Sequence, residues 1–198
     1  MTVHIVDDDE AIRDSLSLLL RSSGLAVTLW PSGEAFLAGW RADLPGCILL
    51  DMRMSGMSGR EVFAALRSRS ARQPVVFLTG HGDIALAVEC LKEGAADFIE
   101  KPFCPADLVE RIRAVLARAK AQAEVESEAA ALRAGLASLS PREAEVLAML
   151  VEGWQNKEIA DRLAITIRTV EAHRARVLEK TGARNAVDLA RRMGRLRG

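Results

Sequence analysis

Gly46-Cys47-Ile48-Leu49-Leu50-Asp51-Met52-Arg53-Met54 is an apolar run that stops on an aspartate, followed by the turn-forming Ser55-Gly56-Met57-Ser58-Gly59. Four apolar residues in succession read as a strand covered on both faces, as in the interior of a parallel sheet. A carboxylate at the C-terminal end of such a strand lies where open α/β sheets gather their ligands. Alone, Asp51 reads as the start of a turn. The segments on either side change that reading.

Working outward, Val3 to Val6 reads as a strand running into Asp7-Asp8-Asp9-Glu10, and a helix with Ile12, Leu16, Leu19 and Leu20 inward stops at Gly24. Leu25–Trp30 is a second strand, and Ser32 caps a short helix through Phe36 to Trp40. Beyond Asp51, Ser58-Gly59-Arg60-Glu61 fits a capping box that opens a helix with Val62, Phe63 and Leu66 inward. Pro74–Thr79 is a fourth strand, Gly80-His81-Gly82 a loop with His81 a loop residue, and Asp83–Glu93 a helix ended by Gly94. Asp97–Glu100 is a fifth strand, and Pro105 opens a helix running past Leu116. Five strands alternating with five helices predict a doubly wound α/β fold, a five-stranded parallel sheet of flavodoxin type.

That topology puts Asp7, Asp8, Asp51, Thr79 and Lys101 on one sheet edge. Three carboxylates so placed repel one another and raise their own pKa values. A hard divalent cation resolves the conflict, and Mg²⁺ suits an oxygen site with few protein ligands. The Thr79 hydroxyl and the Lys101 ammonium are what phosphoryl oxygens need. The set therefore fits phosphoryl transfer to Asp51. Asp9 and Glu10 read as a helix start.

Totals bound the rest. The chain has 198 residues, 49% of them hydrophobic, and no apolar run that approaches a membrane span, which predicts a soluble, cytoplasmic protein. Cys47, Cys90 and Cys104 are scattered without metal-ligand spacing, as in a reducing compartment. Formal net charge is zero but unevenly spread. Residues 1–120 hold 14 Lys and Arg against 16 Asp and Glu; residues 121–137 hold 1 against 3; residues 138–198 hold 12 against 8. Only the last part is basic, so it is the part expected to meet a polyanion.

From Ala117 to Ala137 the composition is helix-forming without a strong apolar stripe, which predicts an exposed helical linker over 121–137 that loosens near Gly135. Leu132 and Leu136 make only a thin coiled-coil seam. Ser140-Pro141-Arg142-Glu143 is a capping box with proline at the first helical position, and Val146, Leu147, Leu150 and Val151 follow on one face. Asn156–Leu163 is a short helix; Thr166 caps a longer one over Ile167–Thr181, closed by Gly182; Asn185 caps a last helix. Two helices joined by a tight turn in a basic all-α module predict helix-turn-helix over 138–198. Val170, Val177 and Leu178 face its core. Small Ala172 and Ala175 allow approach to base edges, and Glu171 can accept from cytosine. Lys157, Arg168, Arg174, Arg176 and Lys180 are candidate phosphate contacts, and Asn156 and Thr169 complete the DNA-facing set.

Residues 1–120 resemble the receiver domain of two-component response regulators, through Asp7-Asp8, Asp51 in Leu-Leu-Asp-Met-Arg-Met, Thr79-Gly80-His81-Gly82 and Lys101-Pro102-Phe103. The resemblance implies that Asp51 accepts phosphate from a histidine kinase. It implies that Asp8 and Asp51 bind Mg²⁺ directly, Asp7 partly through water and Arg53 through its backbone carbonyl. Thr79 and Lys101 would bind the phosphoryl oxygens, and Lys101-Pro102 would be cis. Two residues depart from the family pattern: Ser55 replaces the usual proline, and the switch position holds Phe98, without a tyrosine hydroxyl. Residues 138–198 resemble the LuxR-type DNA-binding domain through Leu139-Ser-Pro-Arg-Glu-Ala-Glu-Val-Leu, Gly153, Asn156-Lys157-Glu158-Ile159-Ala160 and Thr169-Val170-Glu171-Ala172-His173, with Thr166-Ile167 in place of Ser-Pro. His173 reads as structural. The combination is similar to the FixJ branch, whose members resemble transcriptional activators.

These resemblances imply a homodimer on phosphorylation, double-stranded promoter DNA and RNA polymerase as partners, and receiver-type self-dephosphorylation as the extent of enzymatic activity. Val88, Leu91, Lys92 and Arg111 are the expected exposed dimer face. A haloacid-dehalogenase-type phosphatase needs a second aspartate two residues after the nucleophile, where this chain has Arg53. A relay module acting by protein contact alone would not need the helix-turn-helix, and DNA binding independent of phosphorylation is the remaining alternative.

Overall fold

Alternation along the strands builds the first unit. The computed structural model describes residues 1–42, 45–80 and 84–197, with the side chains of Ile84 and Arg197 left aside; His81, Gly82 and Asp83, read above as loop and helix start, lie outside the described residues. The chain divides into two units, Met1–Ala121 and Gln122–Gly198. In the first, β1 (Thr2–Val6), β2 (Ala26–Trp30), β3 (Gly46–Asp51), β4 (Val75–Thr79) and β5 (Asp97–Glu100) form one parallel sheet in the order β2-β1-β3-β4-β5. Every residue of β3 is buried.

Successive side chains point to opposite faces, so two apolar layers result. One gathers Val3, Ile5, Cys47, Leu49, Val76 and Leu78 under α1 (Glu10–Ser22) and the start of α5 (Pro105–Ala137), which contribute Leu16, Leu20, Leu108 and Ile112. The other gathers Val6, Ile48, Leu50 and Phe77 under α2 (Gly33–Gly39), α3 (Gly59–Ser68) and α4 (Ile84–Lys92), with Phe36, Val62, Phe63 and Cys90. The helix starts are those expected. Asp9 accepts from the Ala11 and Ile12 amides, Ser32 from Ala35, and Ser58 with Glu61 closes a capping box. Leu25 and Pro74 fall one residue outside their strands.

His4 sits on β1, an interior strand, and is 4% exposed. Its Nδ1 accepts from the Trp30 indole N–H at 3.3 Å, and its ring centroid lies 6.2 Å from that of Phe36.

The second unit contains the end of α5 with α6 (Pro141–Val151), α7 (Asn156–Leu163), α8 (Ile167–Thr181) and α9 (Ala186–Arg197). Ser140 and Glu143 form the capping box of α6. The buried Glu143 carboxylate also receives the Lys180 ammonium at 2.7 Å, and Lys180 first, then the Ser140 amide, hold its pKa down to about 2. Val146, Leu150, Ile159, Ala160 and Val170 form one core cluster; Leu132, Leu147, Val177, Ala183 and Leu189 form another.

Two expectations are corrected. Val151 is exposed at the helix end instead of facing inward. The helix does not loosen near Gly135: α5 continues to Ala137, Leu132 is 3% exposed, and Leu136 packs on the same cluster. The thin leucine pair is a packing surface for α8 and α9. Among the described residues no helix is long and apolar enough to cross a membrane.

A Cβ on Gly135 would lie 2.2 Å from the Lys180 carbonyl oxygen. Gly135→Ala should therefore lower the second unit's stability by about 1–3 kcal/mol, the usual penalty of overpacking. Helix propensity alone predicts the opposite sign, so urea denaturation decides between them. Burial lowers the His4 pKa, against a weaker upward pull from the Pro45 carbonyl. With the folded pKa below the unfolded one, stability is full at neutral pH and declines as pH falls below about 6.5. His4→Gln should flatten this part of the pH–stability curve, measured by thermal melting between pH 7 and pH 5.

Candidate functional site

The ends of β1, β3 and β5 bring four charged side chains together. Asp7 and Asp8 follow β1, Asp51 closes β3, and Lys101 follows β5 directly, just before the cis Lys101–Pro102 bond. The Lys101 ammonium lies 2.6 Å from Asp51 Oδ1 and 3.2 Å from Asp7 Oδ2. Asp51 Oδ2 accepts the Arg53 amide at 2.9 Å, Asp7 Oδ1 accepts the Asp9 amide at 2.9 Å, and the Arg13 guanidinium donates to the Asp7 carbonyl. Asp8 Oδ2 accepts the Ser55 amide at 2.6 Å. Asp7, Asp8, Asp51, Arg53 and Lys101 line a hollow of about 290 Å³, together with Asp9, Ile12 and Gly80.

The electrostatics differ from residue to residue. Burial pushes the Asp51 carboxyl up; Lys101 opposes this and the Asp7 charge adds to it. Asp8 behaves otherwise, correcting the expectation that mutual repulsion raises all three. The Ser55 amide and hydroxyl hold it below the usual carboxylate range. Burial pulls Lys101 down, but its bonds to Asp51 and the charges of Asp51 and Asp7 outweigh that and leave it raised.

Asp7, Asp8 and Asp51 each offer an oxygen within 4.8 Å of the others, an all-oxygen donor set against one ammonium. That donor chemistry fits a hard divalent cation. The pocket is thus able to hold a cation beside the buried Asp51 carboxylate.

Thr79 is the exception among the five expected side chains. It is fully buried at the end of β4, and its hydroxyl is 3.5 Å from the Ile99 carbonyl, its acceptor; Gly80 lines the hollow in its place. Phe98 is half-buried against the α2–α3–α4 layer. On the expected dimer face Val88, Lys92 and Arg111 are exposed, and one residue needs correction. Leu91 is partly buried on the same layer, because α4 must cover β5. Arg111 is paired with Asp97 through Nε at 2.8 Å and Nη2 at 2.5 Å.

In the second unit, Thr166 caps α8 by accepting the Thr169 amide at 3.1 Å, and Ala164 supplies the left-handed turn before it with φ of 53°. Arg168, Glu171, Ala172, Ala175 and Arg176 are exposed along α8, with Lys157 exposed on α7; Thr169 is half-buried. Arg174 donates to Asn156 Oδ1 at 2.6 Å, a brace between α7 and α8 that spacing did not reveal. Lys180 is corrected: its ammonium is engaged by Glu143 and the Ser138 carbonyl, since the C-terminal end of α8 packs against α6.

The description "Response regulator receiver domain" matches residues 3–113, and "Bacterial regulatory proteins, luxR family" matches residues 137–193. The C4-dicarboxylate transport transcriptional regulatory protein DctR of Rhodobacter capsulatus is 50% identical over 193 residues, covering 96% of this chain and 98% of the relative. The transcriptional regulatory protein FixJ of Azorhizobium caulinodans is 48% identical over 192 residues, covering 96% and 90%. Among solved structures, response regulator StyR matches with a TM-score of 0.85 at 36% identity over 98% of each chain. Full-length FixJ from B. japonicum matches with a TM-score of 0.61 at 40% identity, over 98% of this chain and 96% of that one. With an acidic pocket at the sheet edge of its first unit and a helix-turn-helix later in the sequence, the chain belongs to the NarL/FixJ class of two-component response regulators, transcriptional regulators that join a receiver domain to a LuxR-type DNA-binding domain.

Proposed function

We propose that Asp51 is the phosphoacceptor of a receiver spanning residues 1–120, and that residues 138–198, joined by a helical segment over 121–137, bind promoter DNA. The observation that carries this reading is the meeting of Asp7, Asp8, Asp51 and Lys101 at one sheet edge. A sensor histidine kinase donates the group. An Asp51 carboxylate oxygen bonds to phosphorus as the histidine N–P bond breaks, and the histidine nitrogen keeps the electron pair. Asp8, Asp51 and the Arg53 carbonyl would hold Mg²⁺, with Asp7 through water. Bound there, Mg²⁺ supplies charge neutralisation for the transferred group.

The new group brings about −1.5 to −2 charges to Asp51. Lys101 turns from the bare carboxylate to a phosphoryl oxygen. Thr79 gives up the Ile99 carbonyl for another, and Phe98 moves into the space Thr79 leaves. The face formed by α4, β5 and α5 changes shape and favours a homodimer through Val88, Lys92 and their neighbours. Water later hydrolyses the acyl phosphate and resets the switch. Moving such a switch from 1:99 to 99:1 takes about 5.5 kcal/mol of differential stabilisation, shared here between phosphorylation and DNA.

On DNA, Glu171, Ala172 and Ala175 face base edges, and Lys157, Arg168 and Arg176 meet phosphates. Asn156 and Arg174 act as a braced pair, and Thr169 as part of the cap. The dimer then acts in the cytoplasm as an activator through RNA polymerase.

Sedimentation with beryllofluoride and Mg²⁺ tests the switch. Wild type should shift from monomer to dimer while Asp51→Asn does not; no shift in either protein overturns the dimer reading. Arg176→Ala should weaken DNA binding about tenfold across sequences and reduce the salt slope by about one, read by fluorescence anisotropy at several salt concentrations. An unchanged slope removes Arg176 from the phosphate contacts.

A further inference from the structure

The loop that follows Asp51 is held by carboxylates from two other segments. Asp8 receives the Ser55 amide at 2.6 Å, and the Ser55 hydroxyl bonds to the same carboxylate. On the other side Glu34, from α2, receives the Met57 amide at 2.8 Å, and Gly56 between them turns the chain at φ of 80°. Ser55 and Asp8 are 47 positions apart in the chain, so Ser55 is a cross-link between β1 and the β3–α3 loop.

Its position matters to the pocket. Two residues back lies Arg53, whose amide already holds Asp51 Oδ2. Ser55 thus fastens the Asp8 carboxylate to the stretch of backbone that carries the Arg53 carbonyl. While so held, Asp8 keeps an oxygen within 4.8 Å of oxygens of Asp7 and Asp51. A carboxylate that spends one side on hydrogen bonds has fewer orientations to lose when the other side takes a cation. Serine supplies two donors here, whereas a proline could supply neither.

We propose that Ser55 is a positioning residue for divalent-cation binding, orienting Asp8 through its amide and hydroxyl and tying it to the Arg53 backbone. The proposal rests on the reading of the acidic hollow as the cation site. Outer hydrogen-bond partners of ligating carboxylates are typically worth roughly 10–100-fold in metal affinity.

Calorimetric titration of Mg²⁺ into the full unphosphorylated chain tests it, with wild type, Ser55→Ala, Ser55→Thr and Ser55→Pro, alongside cation-free thermal melts. Ser55→Ala, which keeps the amide, should bind about threefold to tenfold more weakly, and Ser55→Pro about tenfold or more. Ser55→Thr should restore near wild-type affinity, and Ser55→Ala should melt as wild type does without cation. Affinities of the Ala and Pro variants equal to or tighter than wild type overturn the proposal alone. So does an Ala variant whose cation-free stability falls in step with its affinity, or a Thr variant that restores nothing. A wild type that takes up no Mg²⁺ overturns the cation site itself, and the proposal with it.

Discussion

One ammonium holds the receiver pocket together. Asp7 and Asp51 are both buried, and the Lys101 ammonium contacts both, at 3.2 and 2.6 Å. Two carboxylates at the end of a parallel sheet are tolerable only when something answers their charge. Lys101 reaches them because it follows β5 directly, and β5 lies beside β4 in register, Thr79 opposite Glu100. The sheet order therefore determines the electrostatics of the pocket. Lys101 serves as the counter-charge of the Asp51 carboxylate.

Much of this was legible in the sequence. Apolar runs ending on polar residues marked the strands, because a parallel sheet buries its strands on both faces and its loops carry the chemistry. Caps were equally readable: Ser58, Ser140, Thr166 and Asn185 all act on the amides expected of them. What failed to show was direction. Thr79 was assigned to the right strand end, but a one-residue stub cannot reveal whether its hydroxyl turns toward Asp51 or toward Ile99. Lys180 looked like any exposed helical lysine until α6 placed Glu143 beside it. Leu132 and Leu136 were too sparse to register as an apolar stripe, since their partners come from α6, α8 and α9.

Ser55 is a different kind of miss. Its departure from the family's usual proline is visible in the sequence, but what the serine does there is not. The structure shows what replaces the ring: an amide and a hydroxyl turned on Asp8. Composition could not reveal this, because a donor's value depends on which acceptor the fold puts opposite it. The Arg174–Asn156 brace follows the same logic.

The strand order also leaves two open flanks, β2 and β5, where unpaired backbone groups invite another sheet to join. β5 has only four residues and carries Asp97 and Glu100, with Asp97 clasped by Arg111. Along β2 the Arg21 guanidinium takes the Val27 carbonyl at 3.2 Å. Both flanks are thereby blunted against ribbon-like stacking of one copy onto the next, a route that leads to fibrils.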